Sequence, residues 1–134
     1  MKSMMKARTI FAALMIAGAG IAPAFAEDQP VTFDRQAVFA ASEVPADAIV
    51  VEIDQLKYQT PELTVKVGDT VTWVNKEVMP HDVAFNPGPV GPAILVGGMM
   101  MKDQAFSVTF NEPGTYDYHC SPHPFMRGKV IVEE

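Results

Sequence analysis

The chain has 134 residues, with 10 Lys and Arg against 16 Asp and Glu, for a formal charge of −6. That length accommodates one domain, and the acidic balance disfavours nucleic acid as a partner, because phosphate contacts need clustered Lys and Arg. At 49% hydrophobic and 19% charged the chain is too apolar to be disordered. Its one cysteine can close no intramolecular disulfide. Nor can it build a zinc site of four cysteines, or of two cysteines and two histidines.

Residues 1–26 read as a cleaved secretory signal. Lys2, Lys6 and Arg8 precede an apolar run over residues 10–21, and Ala24-Phe25-Ala26 stands just before Glu27. A basic head, an apolar centre and an A-x-A site form the export pattern. The run is shorter than the ~20 apolar residues that span a bilayer, so no membrane anchor is expected. Removing it takes away three positive charges and no acidic ones, leaving residues 27–134 as a still more acidic domain. Export leads to a compartment where thiols usually oxidise. A lone cysteine there needs a reason to stay unpaired.

Residues 27–48 are the least decided, with an edge strand and a short helical turn expected around residues 35–41. Beyond them, short β-branched and aromatic runs recur between turn residues. Ile49-Val50-Val51-Glu52-Ile53 is the first. Leu63-Thr64-Val65-Lys66-Val67 alternates apolar and polar, as a strand with one buried face does. Gly68-Asp69 turns the chain into Thr70-Val71-Thr72-Trp73-Val74. Residues 86–98, rich in Gly and Pro, read as an excursion from the core. Phe106, Val108 and Phe110 alternate with Ser107 and Thr109, then Thr115–Tyr118 and Lys129–Val132 follow. About seven or eight strands in ~100 residues predict an all-β, two-sheet sandwich.

The chemistry concentrates in His119-Cys120-Ser121-Pro122-His123-Pro124-Phe125-Met126. Cys120, His123 and Met126 fall three apart, so a tight loop turns each toward one point. Together they offer a thiolate, an imidazole and a thioether, a donor set suited to copper. His81, after Met79-Pro80, is the histidine outside this loop. Two His, one Cys and a weak Met make the trigonal set of a blue-copper electron-transfer site. Strand parity separates His119 from that set. Tyr116, Tyr118 and Cys120 share the core-facing side, whereas His119 points outward with Asp117. Pro122 and Pro124 fix φ on both sides of His123 and bring no N–H toward the sulfur.

Three other readings stay open. Zinc prefers more thiolates or imidazoles and does not use thioether sulfur. A Cys–His nucleophile pair would need a cleft and an oxyanion hole, which no motif signals. A copper-delivery protein would use the same donors without the blue colour.

The sequence resembles the cupredoxins and, among them, the amicyanins. The likeness runs from about residue 48 to residue 132. It is carried by Lys57-Tyr58-Gln59-Thr60-Pro61-Glu62-Leu63, Val65-Lys66-Val67-Gly68-Asp69-Thr70-Val71-Thr72-Trp73, Met79-Pro80-His81 and Gly114-Thr115-Tyr116-Asp117-Tyr118-His119-Cys120. The last piece continues through Pro122-His123-Pro124-Phe125-Met126-Arg127-Gly128-Lys129. The short Cys-x2-His-x2-Met loop is the most specific part.

The resemblance implies a Greek-key sandwich of about eight to nine strands. It implies one copper ion held by His81, Cys120, His123 and Met126, with Asp82, Ser121, Pro122 and Pro124 supporting them. It further implies a monomeric periplasmic electron carrier rather than an enzyme. Methylamine dehydrogenase, a quinoprotein, would be the donor and a c-type cytochrome the acceptor. Around His123 an apolar docking patch of Met79, Pro80, Met99, Met100, Pro124 and Phe125 is expected, with Lys102 and Arg127 as its positive rim. Three positions depart from the family pattern. Asp82 replaces the usual Asn, and an ionised Asp can only accept hydrogen bonds. Ser121 replaces Thr, and Met101 stands where Lys is common.

Overall fold

A computed structural model describes residues 29–33 and 37–134. Residues 1–26, expected from their sequence to be a signal, lie outside them, as does the start of the helical turn expected at 35–41. Eleven strands are found among the described residues. They are β1 (Val31–Phe33), β2 (Phe39–Ala40), β3 (Ile49–Asp54), β4 (Lys57–Tyr58), β5 (Glu62–Lys66) and β6 (Thr70–Asn75). The others are β7 (Ala84–Phe85), β8 (Leu95–Val96), β9 (Gln104–Phe110), β10 (Gly114–His119) and β11 (Arg127–Glu133). The architecture is all-β, as expected. The count exceeds eight to nine because β2, β4, β7 and β8 hold two residues each. Two residues cannot display an alternating pattern. The helical turn is displaced from 35–41 to a 3-10 turn at Ala41–Glu43, because Phe39 and Ala40 pair with β9 instead. The 86–98 excursion contributes β8, which pairs with β7.

The strands form two mixed sheets. One runs β1-β9-β6-β3-β4, with β2 also on β9; the other runs β5-β11-β10-β7-β8. β3 lies parallel to β6 and β5 parallel to β11, whereas the remaining strand pairs are antiparallel. β6 sits between β3 and β9 and is buried from Val71 to Asn75. Its polar Thr72 is therefore satisfied by the Ser107 hydroxyl of β9 at 2.8 Å. β5 ends at a turn in which Gly68 has φ +92°, a value that L side chains rarely adopt.

Apolar faces of both sheets meet in one core. Val51, Val71, Trp73, Phe106 and Phe110 come from the first sheet; Phe85, Tyr116, Tyr118, Val130 and Val132 come from the second. Aromatic rings join them edge to face. Trp73 lies 5.4 Å from Tyr118 and 6.2 Å from Phe85, and Tyr58 lies 4.7 Å from Tyr118. Tyr118 and the sulfur of Cys120 share one side of the strand end, both almost fully buried. The rigid sandwich thus delivers the cysteine to one end of the core.

Candidate metal centre

Cys120 follows the last residue of β10, and His123 and Met126 follow at the three-residue spacing. Hydrogen bonds enforce the convergence. The His123 amide donates to the Cys120 carbonyl at 3.2 Å, and the Met126 amide donates to the His123 carbonyl at 2.9 Å. The Cys120 amide closes the loop by donating to the Met126 carbonyl at 3.1 Å. Each x2 spacing is therefore one hydrogen-bonded turn. Pro122 and Pro124 lie exposed on either side of half-buried His123 and stiffen it from outside.

His81 arrives from the other direction. It pairs with Met100 through two backbone bonds, 3.1 Å from the His81 amide and 2.8 Å from the Met100 amide. Its Nδ1 stands 3.5 Å from the Cys120 sulfur, and Nδ1 of His123 stands 3.7 Å from the same sulfur. The three donor atoms all lie within 4.8 Å of one another. Donors about 2.1 Å from a common centre in a trigonal plane stand roughly 3.6 Å apart, so the spacing fits one metal ion. Met126 is buried in the same loop. Two imidazoles, a thiolate and a thioether suit copper better than zinc or a hard cation. His119 stays outside the group. It is half-buried rather than turned freely to solvent, because its Nδ1 meets Asn86 Oδ1 at 2.6 Å.

Burial raises the pKa of the Cys120 thiol, while amides of Asp82 and His123 oppose the shift by favouring the thiolate. Proline's missing N–H groups thus limit the donors to the sulfur without abolishing them. Sequence reasoning missed Tyr58, whose buried hydroxyl donates to the Asp82 carbonyl at 2.6 Å and lies beside the sulfur. Burial first, and the Cys120 charge second, push this phenol well above its usual range. It also missed Glu77, whose Oε2 lies 2.6 Å from Nε2 of His81. Buried Asn75 was missed too; its amide donates to the carbonyls of Met79 at 2.8 Å and Met100 at 3.0 Å. A carboxylate four residues before a ligand-type histidine was the one available signal.

Asp82 is buried, and its Oδ1 accepts the Ser121 amide at 2.7 Å. Met79, Met99, Pro124 and Phe125 are exposed and Pro80 is half-buried. Met101, Lys102 and Arg127 are also exposed. Met100 does not belong to the expected docking patch. It is fully buried, because pairing with His81 turns alternate residues of the Met99-Met100-Met101 run to opposite sides.

A family model of copper-binding proteins, the plastocyanin/azurin family, matches residues 45–133. An amicyanin of Paracoccus denitrificans is 56% identical over 133 residues, covering 99% of this chain and 100% of that protein. An amicyanin of Paracoccus versutus is also 56% identical, over 94% of this chain and 95% of its own length. A plastocyanin of Synechococcus is 37% identical over 70% of this chain and 79% of its own. Among solved structures, a copper(I) form of a methionine-to-alanine variant of amicyanin superposes with a TM-score of 0.76 at 61% identity. That match covers 78% of this chain and 100% of the other. The chain therefore belongs to the plastocyanin/azurin family of copper-binding proteins, with copper as its cofactor.

Proposed function

We propose that this chain is a periplasmic one-electron carrier whose copper is held by His81, Cys120, His123 and Met126. The carrying observation is the convergence of His81 Nδ1, Cys120 Sγ and His123 Nδ1 within 4.8 Å, fully buried except at His123. When bound there, copper supplies a one-electron couple. The protein's part is to hold its donors still. Two loops are clamped at the end of a packed core, Asp82 binds one to the other, and prolines stiffen His123. Buried walls keep out water that would reorganise around a changing charge. Cys120 has no exposed surface, so it offers no nucleophile to a substrate. This favours a carrier over a thiol enzyme.

Half-buried His123 is the donor nearest to solvent, and exposed Phe125 stacks edge-on to it with ring centroids 6.1 Å apart. A partner covering Phe125, Met79 and Met99 would reach the centre through His123. The amicyanin relatives support methylamine dehydrogenase as the donor and a c-type cytochrome as the acceptor. Export follows from reading residues 1–26 as a cleaved signal, which leaves 27–134 as the working domain. The optical and EPR spectra of the copper-loaded domain test the function. An intense visible band lost on reduction, and absent from Cys120→Ala, is expected. A colourless copper-bound protein would instead favour copper delivery.

A further inference from the structure

We infer that Glu77 is a positioning residue for the metal centre, fixing the ring of His81 and tying it to the β3–β4 hairpin. This rests on reading His81 as a ligand. Glu77 is nearly buried, and its two oxygens serve different elements. Oε2 meets Nε2 of His81 at 2.6 Å. Oε1 accepts the amide hydrogen of Leu56 at 2.7 Å. The Glu77 amide is itself fixed, donating to Asn75 Oδ1 at 2.8 Å.

A neutral imidazole carries one N–H. When Nε2 donates that hydrogen to a carboxylate, Nδ1 is left bare and aimed at the sulfur 3.5 Å away. Glu77 thereby selects the tautomer that can bind a metal through Nδ1. The backbone of His81 is already held by Met100, so ring and main chain are both fixed.

The second oxygen has a separate task. Gln55 and Leu56 have φ of +53° and +56°, consecutive non-glycine residues in the left-handed region. Such conformations persist where surrounding contacts over-determine them. The acceptor that Glu77 offers to Leu56 is one of those contacts. The same hairpin carries Tyr58, which holds the carbonyl of Asp82. The hairpin therefore reaches the centre at two adjacent residues, His81 and Asp82.

Glutamine cannot reproduce this arrangement. Two N–H donors converge on two separate oxygens, and a glutamine amide turns its NH2 group toward one of them. The test uses the near-isosteric Glu77→Gln, with Glu77→Ala beside it, in metal-free and copper-loaded protein. In the metal-free parent, nitrogen NMR should show His81 protonated at Nε2, with slow exchange there and at the Leu56 amide. In Glu77→Gln one of the two sites should exchange at least about tenfold faster, and copper affinity should fall by roughly 10–100-fold. In Glu77→Ala both sites should lose protection. Unchanged exchange at both sites in folded Glu77→Gln would overturn the inference. Copper affinity unchanged in Glu77→Gln but lost in His81→Ala would do the same. A His81→Ala variant that binds copper as tightly as the parent would overturn the ligand assignment instead, leaving the metal-free exchange data to report on Glu77.

Discussion

The carboxylate of Asp82 accepts the amide hydrogen of Ser121 at 2.7 Å, joining positions 39 residues apart in the chain. Asp82 follows His81 and Ser121 follows Cys120, so the bond locks the two donor-bearing segments at the residue beside each donor. Asp82→Ala should free the second loop at a cost of about 1–3 kcal/mol. Asp82→Asn keeps one acceptor and removes a buried negative charge. Oxidised copper carries one more positive charge than reduced copper, so losing a nearby anion disfavours the oxidised form. The midpoint potential should rise, on the order of the 59 mV that marks a tenfold change for one electron. Voltammetry of the two proteins decides this, and an unchanged or lower potential contradicts it.

Phe125 is 66% exposed and touches the His123 ring, with Met79 42% and Met99 43% exposed. Apolar side chains of this size at a surface mark interaction sites. Phe125→Ala should weaken docking to the proposed donor, methylamine dehydrogenase, roughly tenfold, as loss of an interface anchor does. The visible spectrum should stay the same, because no donor moves. Val67→Ala is the control. Val67 is 41% exposed, but it follows β5 and bonds the Glu133 carbonyl at the opposite end of the sandwich. Stopped-flow reduction that slows equally in both variants would remove the docking role of Phe125.

Long strands were legible because their side chains alternate. Val65, Val71, Phe106, Tyr116 and Val130 all lie on buried faces of strands expected from pattern. β4, β7 and β8 were not legible, since two residues carry no period and their pairing depends on distant partners. Cys120 and His123 could be placed together because a hydrogen-bonded turn spans their spacing. The burial of Met100 could not be foreseen. It follows from a bridge to His81, formed between chain segments whose relative register no local pattern encodes. Tyr58 and the bond from Leu56 to Glu77 escaped for a related reason: both depend on tertiary packing of the β3–β4 hairpin. The other partner of Glu77, His81, is four residues away, a spacing that carried the one local signal.

Gly128 is required by a ring rather than by a backbone angle. It pairs across the ladder with Tyr118, and a Cβ built on it would stand 2.4 Å from the Tyr118 ring carbon and hydroxyl. Real Cβ atoms do not approach so closely, so Gly128→Ala must push the ring aside. Overpacking of this kind costs about 1–3 kcal/mol. The displaced ring would also disturb the bond from Trp73 Nε1 to the Tyr118 hydroxyl. Chemical denaturation followed by Trp73 fluorescence should show the loss. Unchanged stability would mean that β10 and β11 can separate to admit a methyl group.

Tyr118 links the core to alkaline stability. Burial raises its pKa from 10.0 to about 12, with the Trp73 hydrogen bond pulling weakly the other way. An unfolded chain releases this proton near pH 10, whereas the folded chain keeps it until about pH 12. Stability from this group is therefore complete below pH 10 and declines as pH rises through 12, by about 3 kcal/mol in all. Tyr58 adds to the decline in the same direction. Tyr118→Phe removes the titration and leaves the buried Trp73 N–H without its acceptor, 3.2 Å away in the parent. The variant should lose about 1–3 kcal/mol at neutral pH and then fall less steeply between pH 10 and 12. Denaturation midpoints measured across that range give both quantities. Equal alkaline slopes for variant and parent would show that the Tyr118 phenol does not carry the effect.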